Sequence, residues 1–476
     1  MRGLVISKRG GAVMRARPAT PSSGRPKPLY PQLKPRRNAS HEAVAAHQRA
    51  RLHSAIVEAC VRKGVAATSV NELVSIAGVS KKTLYKHFDN KEECFLATYD
   101  LVIRDAVARI SAAYTEGPED ERDWAAGLCH AFDAFVAELV ERPERSRLAL
   151  VDVLMVGPNA LERIERAEAV FIWMIARSLA QTPDAVPLPP LLLKSLVGGI
   201  WFVSRSRLLE GEAATVSERG RELLDWILAY RAPVAASLPK TDVLPRRWSG
   251  SLLDSAAGDA RTRMLYAAAQ IVTRGGYLSL SVEEIAERAD VSPVVFSAEF
   301  DSPGECFWAS LELLSAQALA RALRESGGAP DWAAGVCRAI HALLCQIAED
   351  RVLARVAFVE AVAAGPAGVE RRAALIRGFA NVLLSRAPRE HRPSPLVAEA
   401  IVGSVWSIAY RYVAEDRAHL LPSLSGHAAY LALVPVIGAA EAYNVISAEL
   451  GPGATRKTEP SRVSSAAGPS SAVALA

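Results

Sequence analysis

The chain has 476 residues, of which 50% are hydrophobic and 22% charged, and a formal net charge of +5. One hydrophobic core does not organise that length, so several domains are expected, and the composition excludes fibrous and largely disordered classes. The six cysteines (Cys60, Cys94, Cys129, Cys306, Cys337 and Cys345) form no C-x-x-C pair and have no histidines at zinc-ligand spacing; buried thiols in a reducing compartment are expected, without metal.

Residues 1–40 hold ten Lys or Arg and no acid, among many Pro, Gly and Ser. A disordered basic arm over 1–45 is the expectation, with non-specific attraction to phosphates; a solvated tail, or translation starting at Met14, fits the same composition. Leu4-Val5-Ile6 is too short for the apolar region of a signal peptide.

From about residue 46 the pattern turns helical. Val70, Leu73, Val74 and Ala77 fall at i, i+3, i+4 and i+7, giving a short helix one apolar face. Ala77-Gly78-Val79 breaks it, with Gly78 free to take positive φ and Val79 as an apolar plug. Ser80 then serves as an N-cap, and Leu84 and Phe88 take the core side of the next helix. Its outward side is left to Lys81, Lys82, Thr83, Tyr85, Lys86 and His87, the residue types that contact phosphates and base edges in a major groove. Asn90 caps the following helix in a capping-box relation to Glu93, and Lys91 stands near that helix's N-terminus, where a phosphate could bind.

The segment TSVNELVSIAGVSKKTLYKHFDNKEECF, preceded by HQRARLHSAIVEACVRKG, resembles the N-terminal DNA-binding domain of the tetracycline-repressor (TetR/AcrR) family. The resemblance covers about 47–106. It implies a three-helix reader over 46–106, followed at 107–235 by a helical regulatory domain that binds a small effector and dimerises through its last helices. It also implies DNA-facing roles for Thr68 and Ser69, where the second helix begins, for Lys82, Thr83 and Lys86 on the recognition helix, and for Tyr85 and Lys91 at phosphate-contacting positions. Ser80, Lys81 and His87 complete the DNA-binding set.

Downstream, Leu128, Phe132, Phe135, Val136 and Leu139 recur at three and four, and strand-like alternation is absent. The expected fold is all-α. Trp124, Phe132, Phe135, Trp173 and Trp201 are core residues by spacing, or, from the resemblance, the lining of an effector pocket. A Pro-, Ser- and Gly-containing stretch over 236–257 reads as a linker.

After it the chain repeats itself. Ser69–Phe95 aligns without gaps on Ser281–Phe307; Asp123-Trp124-Ala125-Ala126-Gly127 recurs at Asp331–Gly335, Gly157-Pro158 at Gly365-Pro366, and Val197-Gly198 with Trp201 at Val402-Gly403 with Trp406. Two tandem units are therefore expected, each a three-helix helix-turn-helix domain followed by a helical regulatory and dimerisation domain; the second has its reader at 258–318 and its regulatory domain at 319–450. The second reader keeps the apolar positions Val282, Ile285, Ala286, Ala289, Val291, Phe296 and Phe300. Where the first has Lys81, Lys82, Tyr85, Lys86, His87 and Lys91, it has Pro293, Val294, Ser297, Ala298, Glu299 and Pro303. Residues 47–96 hold eight basic and five acidic residues, against four and eight in 259–308. A surface acidic on balance repels a duplex, so the second copy is expected to be scaffold. A disordered tail is expected over 451–476.

No G-x-S-x-G elbow, phosphate-cradling loop or metal-spaced cluster occurs, so no catalytic residue and no cofactor is expected. No segment reads as membrane-spanning: Ala428–Ala440, the longest apolar stretch, contains Pro435 and falls short of roughly 20 residues. The expected molecule is a cytoplasmic bacterial repressor that binds double-stranded operator DNA and responds to a small-molecule effector in its first regulatory domain. Leu191–Leu209 with Glu218–Tyr230, and Pro395–Val413 with His427–Ile446, would form an internal pseudo-dimer, with two chains meeting on one operator. A ligand-binding or interaction protein that has lost specific DNA binding is the competing reading.

Overall fold

In chain order the helices are α1 (His41–Lys63), α2 (Val70–Ala77), α3 (Lys81–His87), α4 (Lys91–Tyr114), α5 (Trp124–Glu141), α6 (Pro143–Leu150), α7 (Leu161–Leu179), α8 (Pro190–Glu210) and α9 (Ala213–Leu228). There follow α10 (Ala260–Gly275), α11 (Val282–Ala289), α12 (Pro293–Glu299), α13 (Pro303–Ser326), α14 (Trp332–Glu349), α15 (Arg351–Arg355), α16 (Pro366–Arg386), α17 (Pro395–Ala414), α18 (Ser425–Ile437) and α19 (Ala439–Leu450). This computed structural model describes residues 40–64, 67–116, 123–156, 158–180, 187–231, 238–239, 259–361 and 364–451, and among them there is no strand. The expected basic arm before residue 40, the tail from 452 and most of the expected linker lie outside the described residues.

Local signals account for the helix ends. The Ser69, Ser80, Asn90, Asp123, Ser281, Ser292, Ser302 and Asp331 side chains each accept from a backbone N–H in the first turn that follows. The reciprocal half of the capping box expected at Asn90 lands one residue earlier, because the Glu93 carboxylate accepts from the Asp89 amide, and Glu305 likewise accepts from the Asp301 amide beside the Ser302 cap. A complete capping box occurs instead between Ser69 and Glu72.

The two halves match in detail: α2 and α11 have 8 residues each, α3 and α12 have 7, α4 and α13 have 24, and α5 and α14 have 18. Each three-helix segment has its own small core, around Leu52, Leu73, Leu84 and Phe95 in the first and Met264, Ile285, Phe296 and Phe300 in the second. A single larger core runs from Ile110 to Leu450 and unites the helices that follow both. The boundaries expected at 106 and 318 fall inside α4 and α13, since each of these long helices leaves its three-helix segment and continues into the large core. The helix α1 starts at His41, within the stretch assigned to the arm.

The halves meet where α8 crosses α17. Gly198 faces Ser407, Gly199 faces Ser404 and the Ala400 carbonyl, and Gly403 faces the Phe202 ring, so the helices run antiparallel at a separation only glycine permits. Ion pairs flank the crossing: Arg207 donates to Glu399 at 2.8 Å, Arg411 to Glu165 at 2.7 Å and to Glu168 at 3.1 Å, and Arg377 to Glu210 at 2.5 Å, with a further hydrogen bond from Arg377 to Ser206 at 3.0 Å. The Tyr230 hydroxyl donates to the Leu431 carbonyl at 2.7 Å.

The expected single helix over His427–Ile446 is two, α18 and α19, because Gly438 adopts φ 78° between them. The stretch Ala418–Ile437 is long and apolar enough to cross a membrane, and 67% of its most apolar 18 residues are buried inside the protein. Five cysteines are buried as expected, whereas Cys129 is only half-buried. Burial pushes the Cys94, Cys306 and Cys337 thiols up to about 12, which keeps them protonated and unreactive at neutral pH.

Candidate DNA interface

The turn between α2 and α3 is set by Gly78, whose φ of 61° places it in the left-handed region. Its carbonyl accepts from Arg51 Nη2 at 2.8 Å, which ties the turn to α1. Leu84 is fully buried and Phe88 nearly so, anchoring α3 from beneath. Leu84 thus fixes which side faces out. Lys81, Lys82, Tyr85 and Lys86 are exposed, and none of the ion pairs among the described residues engages these lysines. Tyr85 leaves 54% of its surface uncovered, a large aromatic group that the core does not use.

The remaining expected contacts divide by burial. Ser69 and Ser80 are exposed caps; Thr83 is half-buried, with its hydroxyl 2.9 Å from that of Ser80. His87 also lies half-buried, turned toward α1, with Nε2 3.0 Å from Gln48 Oε1 and its ring edge-on to Phe88. Burial, then the charges of Arg49 and Lys86, hold its pKa below the usual histidine value. Thr68 is 2% exposed, so its side chain is not on the outer face; its hydroxyl donates to the Gly64 carbonyl at 2.8 Å and acts as a structural tie. Lys91 Nζ donates to the Thr68 carbonyl at 2.7 Å, bracing the start of α4 against the entry to α2. Burial lowers its pKa first, before any nearby charge acts.

The sequence reading passed over Arg49. It is exposed on α1, and its charge acts on both His53 and His87, which places a further cation beside α3. The signal lay only in packing, since Arg49 and His87 are far apart in the chain. In the second half, Val294 on α12 is 78% exposed and Val295 39%. Glu299, the lone charge of α12, is paired with Arg261 at 2.9 Å.

Residues 52–98 match the model of a family described as bacterial regulatory proteins, tetR family. Over those residues the chain is similar to the DNA-binding domain of tetR-family regulators. Within the matched residues the exposed lysines and Tyr85 lie on α3, and Leu52, Leu73, Leu84 and Phe95 form the core.

The five aromatic residues expected around an effector do not form one pocket. Phe132, Phe135 and Trp201 line a cavity of only about 40 Å³ with Phe171 and Met174. Trp124 and Trp173 pack with Tyr114 toward the outside, and Trp173 is 51% exposed. The reason is position: Trp124 opens α5 at the far end from the aromatic cluster, where Arg177 covers its ring at 4.7 Å. The roomier apolar cavity, about 380 Å³, is in the second half, where it is lined by Trp332, Phe358, Phe379 and Trp406.

Proposed function

We propose that this protein is a transcription regulator, a repressor in the bacterial cytoplasm, that reads its operator with α3 and performs no catalysis. The observation carrying this reading is the exposed, carboxylate-free row of Lys81, Lys82, Tyr85 and Lys86 on a helix whose other side is locked by Leu84. Such a row supplies both phosphate contacts and base-edge donors. The chain is built of two tandem units, and the second reader serves as scaffold. Matching helix lengths support the tandem reading, and the apolar surface of α12 supports the scaffold role.

The α8–α17 crossing lets one chain mimic a dimer. With one cationic reader per chain, a single half-site gives too little discrimination against a genome, so two chains share an operator bearing an inverted repeat. A small molecule releases the DNA by binding the two states unequally.

The test is footprinting and gel-shift titration of upstream DNA with purified full-length chain. Lys82→Ala and Tyr85→Ala are each expected to lower specific affinity by about 1–3 kcal/mol, roughly 5- to 150-fold, while Val294→Ala and Ser297→Ala leave it within about twofold. Equal losses from both pairs, or no protected site in wild type, refute the reading.

A further inference from the structure

The chain's roomy apolar cavity lies in the half that lacks cations on its recognition-position helix. It holds about 380 Å³, within the range that small-molecule sites occupy, and its walls come from α13, α14, α16 and α17, with Phe358 and, from α18, Ala432. The corresponding space in the first half is about 40 Å³, filled by Phe132, Phe135, Phe171 and Trp201. A groove of about 460 Å³ between α5 and α9 is a different kind of space. Its walls include the exposed, charged Asp133, Glu141, Glu218 and Arg221, which water solvates without a ligand. Protein interiors are close-packed, and an apolar void this large forfeits contacts on every side unless something fills it.

The polar groups on the cavity wall are few. Asp331 is spent as the cap of α14, accepting from the Ala334 amide at 2.9 Å. Arg386 is exposed, reaches Ser326 Oγ at 3.5 Å, and enters no ion pair among the described residues. An apolar chamber with one cation at its rim selects an amphipathic monoanion, with the apolar body inside and the carboxylate at Arg386.

The same helices carry the message outward. On α17, Val402, Val405 and Trp406 face the cavity, while Gly403 and Arg411 bind the first half at Phe202 and at Glu165 and Glu168. On α16, Phe379 lines the cavity and Arg377 holds Ser206 of α8. We infer that sensing and reading are divided between the two halves: an amphipathic carboxylate binds within 319–409 and shifts α17 against α8, altering a reader in the other half. Only the effect on DNA rests on the function proposed above; occupancy of the cavity does not.

The experiment titrates full-length protein with 1-anilinonaphthalene-8-sulfonate, displaces the dye with decanoate, dodecanoate and palmitate, and repeats this with the matching alcohols. One acid per chain is expected. Filling the chamber with Ala339→Trp or, from another helix, Leu323→Trp should weaken acid binding at least tenfold, with DNA affinity in the absence of ligand preserved as the sign of an intact fold. Arg386→Gln should weaken dodecanoate about tenfold and leave dodecanol unchanged. Absence of saturable acid binding in wild type, or undiminished binding in both filled variants that keep their DNA affinity, overturns the site. Saturating acid should lower operator affinity at least tenfold in wild type and not in the filled variants. Acid that binds without changing DNA affinity overturns the division of labour, whereas a chain that binds acid but no DNA overturns the proposed function and leaves the site standing.

Discussion

Replacing Gly199 by Ala tests the internal pairing most directly, because the outcome depends on a sign as well as a size. In an open helix interior, Gly→Ala stabilises by roughly 0.5–1 kcal/mol through the unfolded chain's lost freedom. At Gly199 the added methyl collides with the Ser404 hydroxyl and the Ala400 carbonyl oxygen and sits 2.9 Å from the Trp226 ring. A serine can rotate; a helical carbonyl and a ring 3% exposed cannot, so α8 and α17 must separate. Overpacking of this kind costs about 1–3 kcal/mol, and the net effect is a loss of about 1–2 kcal/mol. Gly378 on α16 is the internal control, since an added Cβ there has no neighbour within 4 Å and the same substitution should stabilise by up to about 1 kcal/mol. Urea unfolding followed by tryptophan fluorescence compares the two; Trp226, beside the crossing, reports it. Gly403→Ala, with Phe202 carbons at 2.9 Å, should behave like Gly199→Ala. If Gly199→Ala proves as stable as Gly378→Ala, the two helices do not pack as closely as described.

Three further outcomes follow from buried or strained groups. Asp152 is fully buried, both its oxygens lack hydrogen-bond donors, and Arg147 approaches only to 3.7 Å; burial, weakly opposed by Arg147, lifts its carboxyl from 3.8 to about 7. The folded chain therefore keeps a proton that the unfolded chain releases, so stability falls as pH rises from about 4 to 7, by about 4 kcal/mol; Asp152→Asn should melt higher than wild type at pH 8 and no higher at pH 4, and identical melting at both pH values contradicts this. His53 behaves oppositely: burial and then the Arg49 charge hold it at about 4, and it donates from Nδ1 to Thr98 Oγ1, whose own proton goes to the Cys94 carbonyl. The first reader should lose about 3 kcal/mol as pH falls from 6.5 to 4, seen as acid-sensitive hydrogen exchange in α1 and α4 that His53→Gln makes insensitive to pH. Asp290 occupies the turn position of Gly78 with φ 52°, so Asp290→Gly should stabilise the second reader by about 1 kcal/mol in thermal melts, and a loss would show that its side chain contributes more than its backbone costs.

Local chemistry determined much of this protein in advance. Apolar spacing at three and four, with serine, asparagine and aspartate caps, specifies helices through contacts within one turn, so α2, the Gly78 turn and the outward side of α3 were readable in order. The repeat was readable for the same reason, since likeness between two segments requires no knowledge of where they sit. Tertiary structure decided what depends on residues distant in the chain. Thr68 looked like a DNA contact by position, but packing buries it under the Lys91 ammonium; His87 looked outward, but Gln48 of α1 draws it in; and Arg49 looked unremarkable until α1 lay beside α3. The aromatic residues of both halves looked alike. Whether they fill their space or leave a chamber depends on how four helices settle against one another, which no periodicity records. The meeting of α8 with α17 is the clearest case: Gly199 and Gly403 are 204 positions apart, and the reason each lacks a side chain is a backbone or ring on the other helix.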